Sequence, residues 1–364
     1  MRSICKLGWS VFAALCVAGF AGRAEAQFKN GAQATELRLP EVSQRASVTQ
    51  RIGLTDVTIV YHAPLVGGRE LFGKVIPYGK VWRAGANENT TIAFADDVSV
   101  EGKPLAAGTY GLHMIPDQDQ WTIIFSKNST SWGSFTYDEK EDALRVSVKP
   151  RTAEFRDSLA YTFDDVKPDS AAVTLRWDKL AVPFVVSVDV KAITERSIKN
   201  QLRNVGGFTW SGYDEAATWC LDGNCSLDEA LKWENTSIQA EERFENLLTK
   251  SQILDAMGKK QDAEALRSKA MDVATGVQLH VYGRGLQIQK KQDEAFTVFQ
   301  INVKKRPNEW YTHGEISRMA SAHGDFPLAI KEMKLALASA PDATKQQIQG
   351  LIARLEKSQD INPI

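Results

Sequence analysis

Between about Asp56 and Val190 the apolar residues fall in short runs, several of them alternating with polar ones, and from about Ala192 onward they recur at helical spacing. The first stretch predicts strands. Runs rich in β-branched and aromatic residues stand at 57–61, 109–114, 121–125, 144–148, 172–177 and 184–188, separated by Gly, Pro, Asp and Asn. Leu144, Val146 and Val148 alternate with Arg145, Ser147 and Lys149, so one face of such a strand is buried and the other is wet or faces a partner. Connections such as 116–120 are hairpin-sized and lack room for a crossover helix, which predicts antiparallel pairing in a β-sandwich or jelly-roll rather than a parallel α/β sheet.

The helical part carries a repeat. Gly324, Ala329, Ala336 and Pro341 mark one unit; Ala295 and Pro307 lie 34 positions before Ala329 and Pro341, with Phe299 between them. Gly258, Ala263 and Ala270 fit an earlier copy offset by 32, and Ala230 within 226–231 opens a first one. Small residues let two antiparallel helices approach closely, and proline ends the second helix before the next unit. The pattern resembles a tetratricopeptide repeat, which implies stacked helix pairs whose concave surface recognises a peptide or protein. The plainer alternative is a helical bundle that only stabilises the β-domain. The expected fold class is multidomain β plus α: an antiparallel β-sandwich or jelly-roll-like domain over 27–191, followed by an α-helical, tetratricopeptide-like solenoid over 192–364.

The N-terminus has a different pattern again. Arg2 and Lys6 precede an apolar run from Leu7 to Phe20, and Ala24-Glu25-Ala26 forms a small-x-small cleavage site, so 1–26 is expected to be a signal peptide cleaved near Ala26. A membrane anchor is disfavoured because the run falls short of the roughly 20 residues needed to span a bilayer. Lipid attachment at Cys16 is disfavoured by the bulky Leu15 before it. The mature chain is expected to be periplasmic or secreted, with no membrane span.

Composition adds exclusions rather than a function. The 364 residues suffice for about two domains, and a formal charge of −1 gives no pull towards nucleic acid or anionic membranes. Cys5 and Cys16 leave with the signal, so Cys220 and Cys225 remain. In an oxidising compartment this pair reads as a local disulfide, weighed against free thiols and a redox-active pair; two thiolates alone cannot complete a tetrahedral metal shell.

The most distinctive residues run from Tyr61 to Thr91: Tyr61-His62-Ala63-Pro64, then Gly67-Gly68-Arg69-Glu70-Leu71-Phe72-Gly73, then 77–91 with Val81-Trp82-Arg83-Ala84-Gly85-Ala86-Asn87-Glu88-Asn89-Thr90. Here the chain resembles the bacterial domain of unknown function family 2911, whose members carry a closely similar YxxPxxxGRxxFG stretch and a VWRxGANExT stretch. The resemblance continues through 108–110, 121–123, Trp132-Gly133 and 142–146, and covers roughly 39–190. It implies a lineage and no activity.

Arg69, Trp82, Arg83, Asn87, Glu88, Thr90 and, on another strand, His113 form the candidate ligand-binding set. Guanidinium groups bind carboxylate or phosphate in a bidentate fork, and Trp82, Tyr78 or Trp132 can supply a stacking wall for a sugar, a carboxylated metabolite or a peptide terminus. The competing reading is a structural network in which Arg69 or Arg83 pairs with Glu70 or Glu88.

Other chemistries find less support. Gly67-Gly68 lacks phosphate-loop spacing. His62, His113 and Glu88 could converge on a metal, but no paired His spacing supports it, so no metal and no cofactor are expected. His280, His313 and His323 read as surface or inter-helix residues. There is no Gly-x-Ser-x-Gly elbow, while carboxylates such as Glu70, Glu88, Asp138 and Asp142 are available for glycosidase chemistry. Trp82-Arg83 alone does not make a single-strand nucleic-acid platform.

The leading expectation is a non-enzymatic exported binding protein with a small-ligand site in the β-domain and a protein or peptide partner on the repeats. The alternatives are a cell-envelope hydrolase of carbohydrate or peptide, using Glu88 or Asp142 with His113, and a purely structural envelope protein. Ligand, partner and oligomeric state are not encoded in any motif.

Overall fold

The computed structural model describes residues 40–363; the expected signal peptide over 1–26, with Cys5 and Cys16, lies outside them. Ten strands come first: β1 (Gln44–Ile52), β2 (Thr55–Ala63), β3 (Thr91–Phe94), β4 (Val98–Val100), β5 (Lys103–Leu105), β6 (Gly108–Ile115), β7 (Trp121–Ser126), β8 (Asp142–Val148), β9 (Arg151–Asp164) and β10 (Ser170–Ser187). They form a six-stranded sheet in the order β1-β2-β3-β6-β7-β8 and a four-stranded sheet in the order β5-β4-β10-β9, with every ladder antiparallel. One apolar core lies between the two sheets, built from inward residues such as Ile59, Leu112, Trp121, Phe125, Trp177 and Phe184. Alternation produces this directly: Val57, Ile59 and Tyr61 of β2 face in, while Thr58, Val60 and His62 face the other side.

Two runs that read as separate strands, 172–177 and 184–188, fall, but for Val188, within the single 18-residue β10. Its register with β9 ends at Ala181 and its ladder with β4 begins at Val186, so Pro183 falls where no ladder bond is needed. The β4–β5 turn is two residues, Glu101 and Gly102, both at positive φ as a tight hairpin requires.

Ten α-helices follow: α1 (Val190–Gln201), α2 (Trp210–Trp219), α3 (Leu227–Ala240), α4 (Phe244–Ala256), α5 (Lys260–Val273), α6 (Gly276–Ile288), α7 (Gln292–Lys305), α8 (Trp310–Ala322), α9 (Phe326–Ser339) and α10 (Asp342–Leu355). They pack pairwise, α2 with α3, α4 with α5, α6 with α7 and α8 with α9, in a solenoid-like stack. The alanines that set the repeat are the close contacts: Ala230, Ala263, Ala270, Ala295, Ala329 and Ala336 are all buried. The turns inside successive pairs carry equivalent left-handed residues, Gly258, Lys290 and Gly324.

α1 is bound to the sheets. Ile193 joins the β-core, Val190 packs on Gly53, and Arg196 pairs with Asp96, whose other oxygen accepts from Thr55 at 2.8 Å. Cys220 and Cys225 are disulfide-bonded, closing the segment between α2 and α3. No described helix is long and apolar enough to cross a membrane.

Candidate functional site

The 64–84 part of the β2–β3 connection packs into the inter-sheet core through Val66, Leu71, Ile76 and Ala84, whereas its 85–90 end meets the 127–141 connection beside the outward-facing His62 and His113. Asn89 ties them together: its backbone N–H donates to the Ser131 carbonyl at 3.3 Å and its Nδ2 to the Asn128 carbonyl at 3.2 Å. Ile124 of β7 is fully buried without belonging to the inter-sheet core.

The 84–90 turn is tightly determined. Ala84 and Asn87 both have positive φ, and the Ala84 carbonyl accepts from Thr90 Oγ1 at 3.2 Å and Tyr161 Oη at 2.8 Å. A Cβ on Gly85 would lie 2.5 Å from Thr90 Oγ1, so only glycine fits there. Thr90, fully buried, holds the turn through its hydroxyl.

Arg83 emerges from this turn with its guanidinium 5.5 Å over the Trp132 ring, and its Nε is buried without a hydrogen-bond partner. Burial pulls its pKa down, which is the cost of an uncompensated cation. Trp132 stacks on Phe135, with ring centroids 5.9 Å apart and planes within 7°; the two are 58% and 80% exposed. Asn89, only 7% exposed, leaves Oδ1 without a partner.

His113, on β6, is buried. Its Nδ1 lies 3.0 Å from Ser134 Oγ, and burial pushes its pKa down to about 4, so the imidazole is neutral at neutral pH. Its ring sits 5.3 Å from that of Tyr137, whose hydroxyl donates to Asp142 Oδ2 at 2.7 Å. Burial, then the hydrogen bond to Asp142, raise the Tyr137 hydroxyl to about 12. Arg145 donates to Asp142 and to the Tyr137 oxygen, and Asp142 Oδ1 is buried and unpartnered.

The other expected residues are placed elsewhere. Arg69 is exposed and donates to the Leu65 and Val66 carbonyls of its own turn, pairing with neither Glu70 nor Glu88. Trp82 faces inward, stacked on Trp177 at 5.8 Å, with its indole N–H on the Gly85 carbonyl at 3.1 Å. Glu88 lies 3.2 Å from His62 Nδ1, while Glu41 lies 3.4 Å from His62 Nε2 and accepts from Asn87 Nδ2 at 2.6 Å. Glu41, His62 and Glu88 each offer a ligand atom within 4.8 Å of the others, a spacing a divalent cation can bridge. His113 is paired with Ser134 rather than with this trio.

The structure places Arg83 against Trp132 and Phe135, and His113 against Ser134 and Tyr137; no sequence motif singles out Asn89, Ser134, Phe135 or Tyr137. The 131–137 stretch is rich in Ser, Thr and aromatics, yet it has no period that would announce its docking onto β6. A larger open groove of about 1340 Å³ lies on the outer face of the four-stranded sheet, lined by residues including Glu101, Arg151, Phe155 and Arg176; none of the expected site residues lines it.

Residues 43–186 match the family described as "Protein of unknown function (DUF2911)", so the match coincides with the sheets and stops before α1. No curated protein matches the chain.

Proposed function

We propose that the chain is an exported, non-enzymatic binding protein whose β-domain holds a sugar or sugar-acid ring at Arg83, Asn89, Trp132 and Phe135, while the tetratricopeptide-like helices contact a protein. The observation that carries the reading is the pairing of an exposed aromatic stack with buried, unpartnered polar atoms on the same two connections. Exposed stacked rings offer an apolar platform to the face of a sugar, and unpaired Arg83 Nε and Asn89 Oδ1 recover their desolvation cost by bonding its hydroxyl or carboxylate groups. The signal-like N-terminus and the Cys220–Cys225 disulfide support export.

Thermal-shift measurements on the chain from Gln27 onward, against neutral sugars, sugar acids, peptidoglycan fragments and dipeptides, test the assignment. A ligand at about 100 times its Kd stabilises the native state by roughly 2.7 kcal/mol. A shift lost in both Arg83→Ala and Trp132→Ala supports the site; a shift unchanged in both removes it.

A second reading, a hydrolase, draws on the neutral His113 beside Ser134 Oγ, since a neutral imidazole can take a hydroxyl proton. Turnover of a bound sugar or peptide that stops in Ser134→Ala, with binding retained, would favour it over pure binding.

A further inference from the structure

The helices contain a second concentration of unpaired charge, remote in sequence from the β-domain site. Arg284 of α6 and Arg318 of α8 stand 34 residues apart, at equivalent points of successive repeats, and both line a cavity of about 110 Å³ together with His280, Trp310, Tyr311 and Gln347. Arg318 is 7% exposed and donates to the Ile361 carbonyl at 2.9 Å; Arg284 donates to the side-chain oxygen of Gln287. Among the described residues, no carboxylate forms a salt bridge with either guanidinium, although seven arginine–carboxylate pairs occur elsewhere. Each cation is instead desolvated; Arg284 further disfavours the charge of Arg318, and Asp360 offsets this only in part. Two partly buried like charges facing one cavity create a strong local demand for an anion.

The same face of α6 is apolar where it should be polar. Val277, Val281 and Ile288 are 56%, 62% and 71% exposed, and their spacing with Arg284 (277, 281, 284, 288) sets all four along one stripe of the helix. A helix stripe that ends in solvent ordinarily carries charged or amide side chains, so three exposed aliphatics in line mark a contact surface. An inorganic anion would satisfy the arginines and leave this stripe bare. A peptide carrying carboxylates next to aliphatic side chains satisfies both.

We infer that the face shared by α6, α8 and α10 binds an acidic peptide segment of another protein, its carboxylate entering between Arg284 and Arg318 and its aliphatic side chains covering Val277, Val281 and Ile288. The inference rests on the reading that the helices contact a protein, and it gives that partner a chemistry. Arg284 is the determinant to vary, because Arg318 also holds the 360–362 segment through Ile361 and Asn362.

The full chain from Gln27 onward is tested against an array of C-amidated octapeptides in which glutamate, glutamine, isoleucine and serine are permuted. The expected result is selection of peptides holding both glutamate and isoleucine, with about a tenfold loss of affinity for each critical glutamate replaced by glutamine and weaker binding as salt is raised. Arg284→Gln, at unchanged melting temperature, should erase the preference for glutamate over glutamine, and Val281→Asp should weaken all binders. Selection of peptides without glutamate, or a preference that survives Arg284→Gln, overturns the carboxylate assignment while leaving the helices as a peptide-binding surface. Failure to bind any member overturns both.

Discussion

The two halves of the molecule bury different things. The sheets enclose one continuous apolar core, and their unpaired buried polar atoms belong to Arg83 and Asn89 of the β2–β3 connection and to Asp142 at the start of β8. The helices instead divide their apolar contacts into three smaller clusters and bury polar side chains between them: Asn246 on Ser237, Asn302 between Gly276 and Glu315, Ser317 on Ala329, and Glu234 beside Asp214. A sandwich gains its register from alternation and needs no polar keys. Stacked helix pairs present similar faces to every neighbour, and buried hydrogen bonds fix which pair meets which.

The sharpest way to break the contrast is to cut the single core. Phe184→Ala removes a fully buried ring shared by both sheets and should cost about 3–5 kcal/mol, read as loss of the β-domain transition in calorimetry with the helical transition retained. Glu234→Gln should act in the other direction. Desolvation, then the neighbouring Asp214, raise its carboxyl to about 9, so the native state keeps a proton that the unfolded chain releases above about 4.5. Native stability from this group is therefore present at acid pH and falls as pH climbs from about 4.5 towards 9. The glutamine variant should flatten that decline and raise stability at pH 8 by on the order of a few kcal/mol, checked by urea unfolding across pH.

Asn302→Ala tests a polar key directly. It strips one partner from the Gly276 carbonyl and one from buried Glu315, for a loss of roughly 1–3 kcal/mol that should appear in the helical transition alone. The smallest expected effect is a gain: Lys290 holds the left-handed position that Gly258 and Gly324 occupy in the flanking turns, and Lys290→Gly should stabilise that turn by up to about 1 kcal/mol in thermal unfolding.

What the chain discloses before folding follows the same division. Alternation exposes β2, β7 and β8, and the alanine and proline spacing exposes the helix pairs, because both depend on residues near in sequence. β9 stays hidden since Arg151, Glu154, Arg156 and Asp157 make half of it polar and exposed, and β1 likewise presents mostly solvent-facing positions. Arg83 and His113 stand out by type, yet their partners Trp132 and Ser134 arrive from a connection whose docking only the folded sheet decides. Arg69 shows the converse: a motif arginine spent on the carbonyls of its own turn.

The seam between the halves does not coincide with the change from strand to helix. Because Ile193 fills the β-core and Arg196 grips Asp96, α1 is mechanically a part of the sandwich, a rigid handle rather than a tether. A gene cut just after Ser187 would open a hole in the sandwich, and one placed just beyond Gln201 would take Ile198 away from the first helical cluster, on which it packs. Any load or rotation imposed on the first turns of the helical stack is delivered straight to the β1–β2 hairpin through Val190 and Gly53.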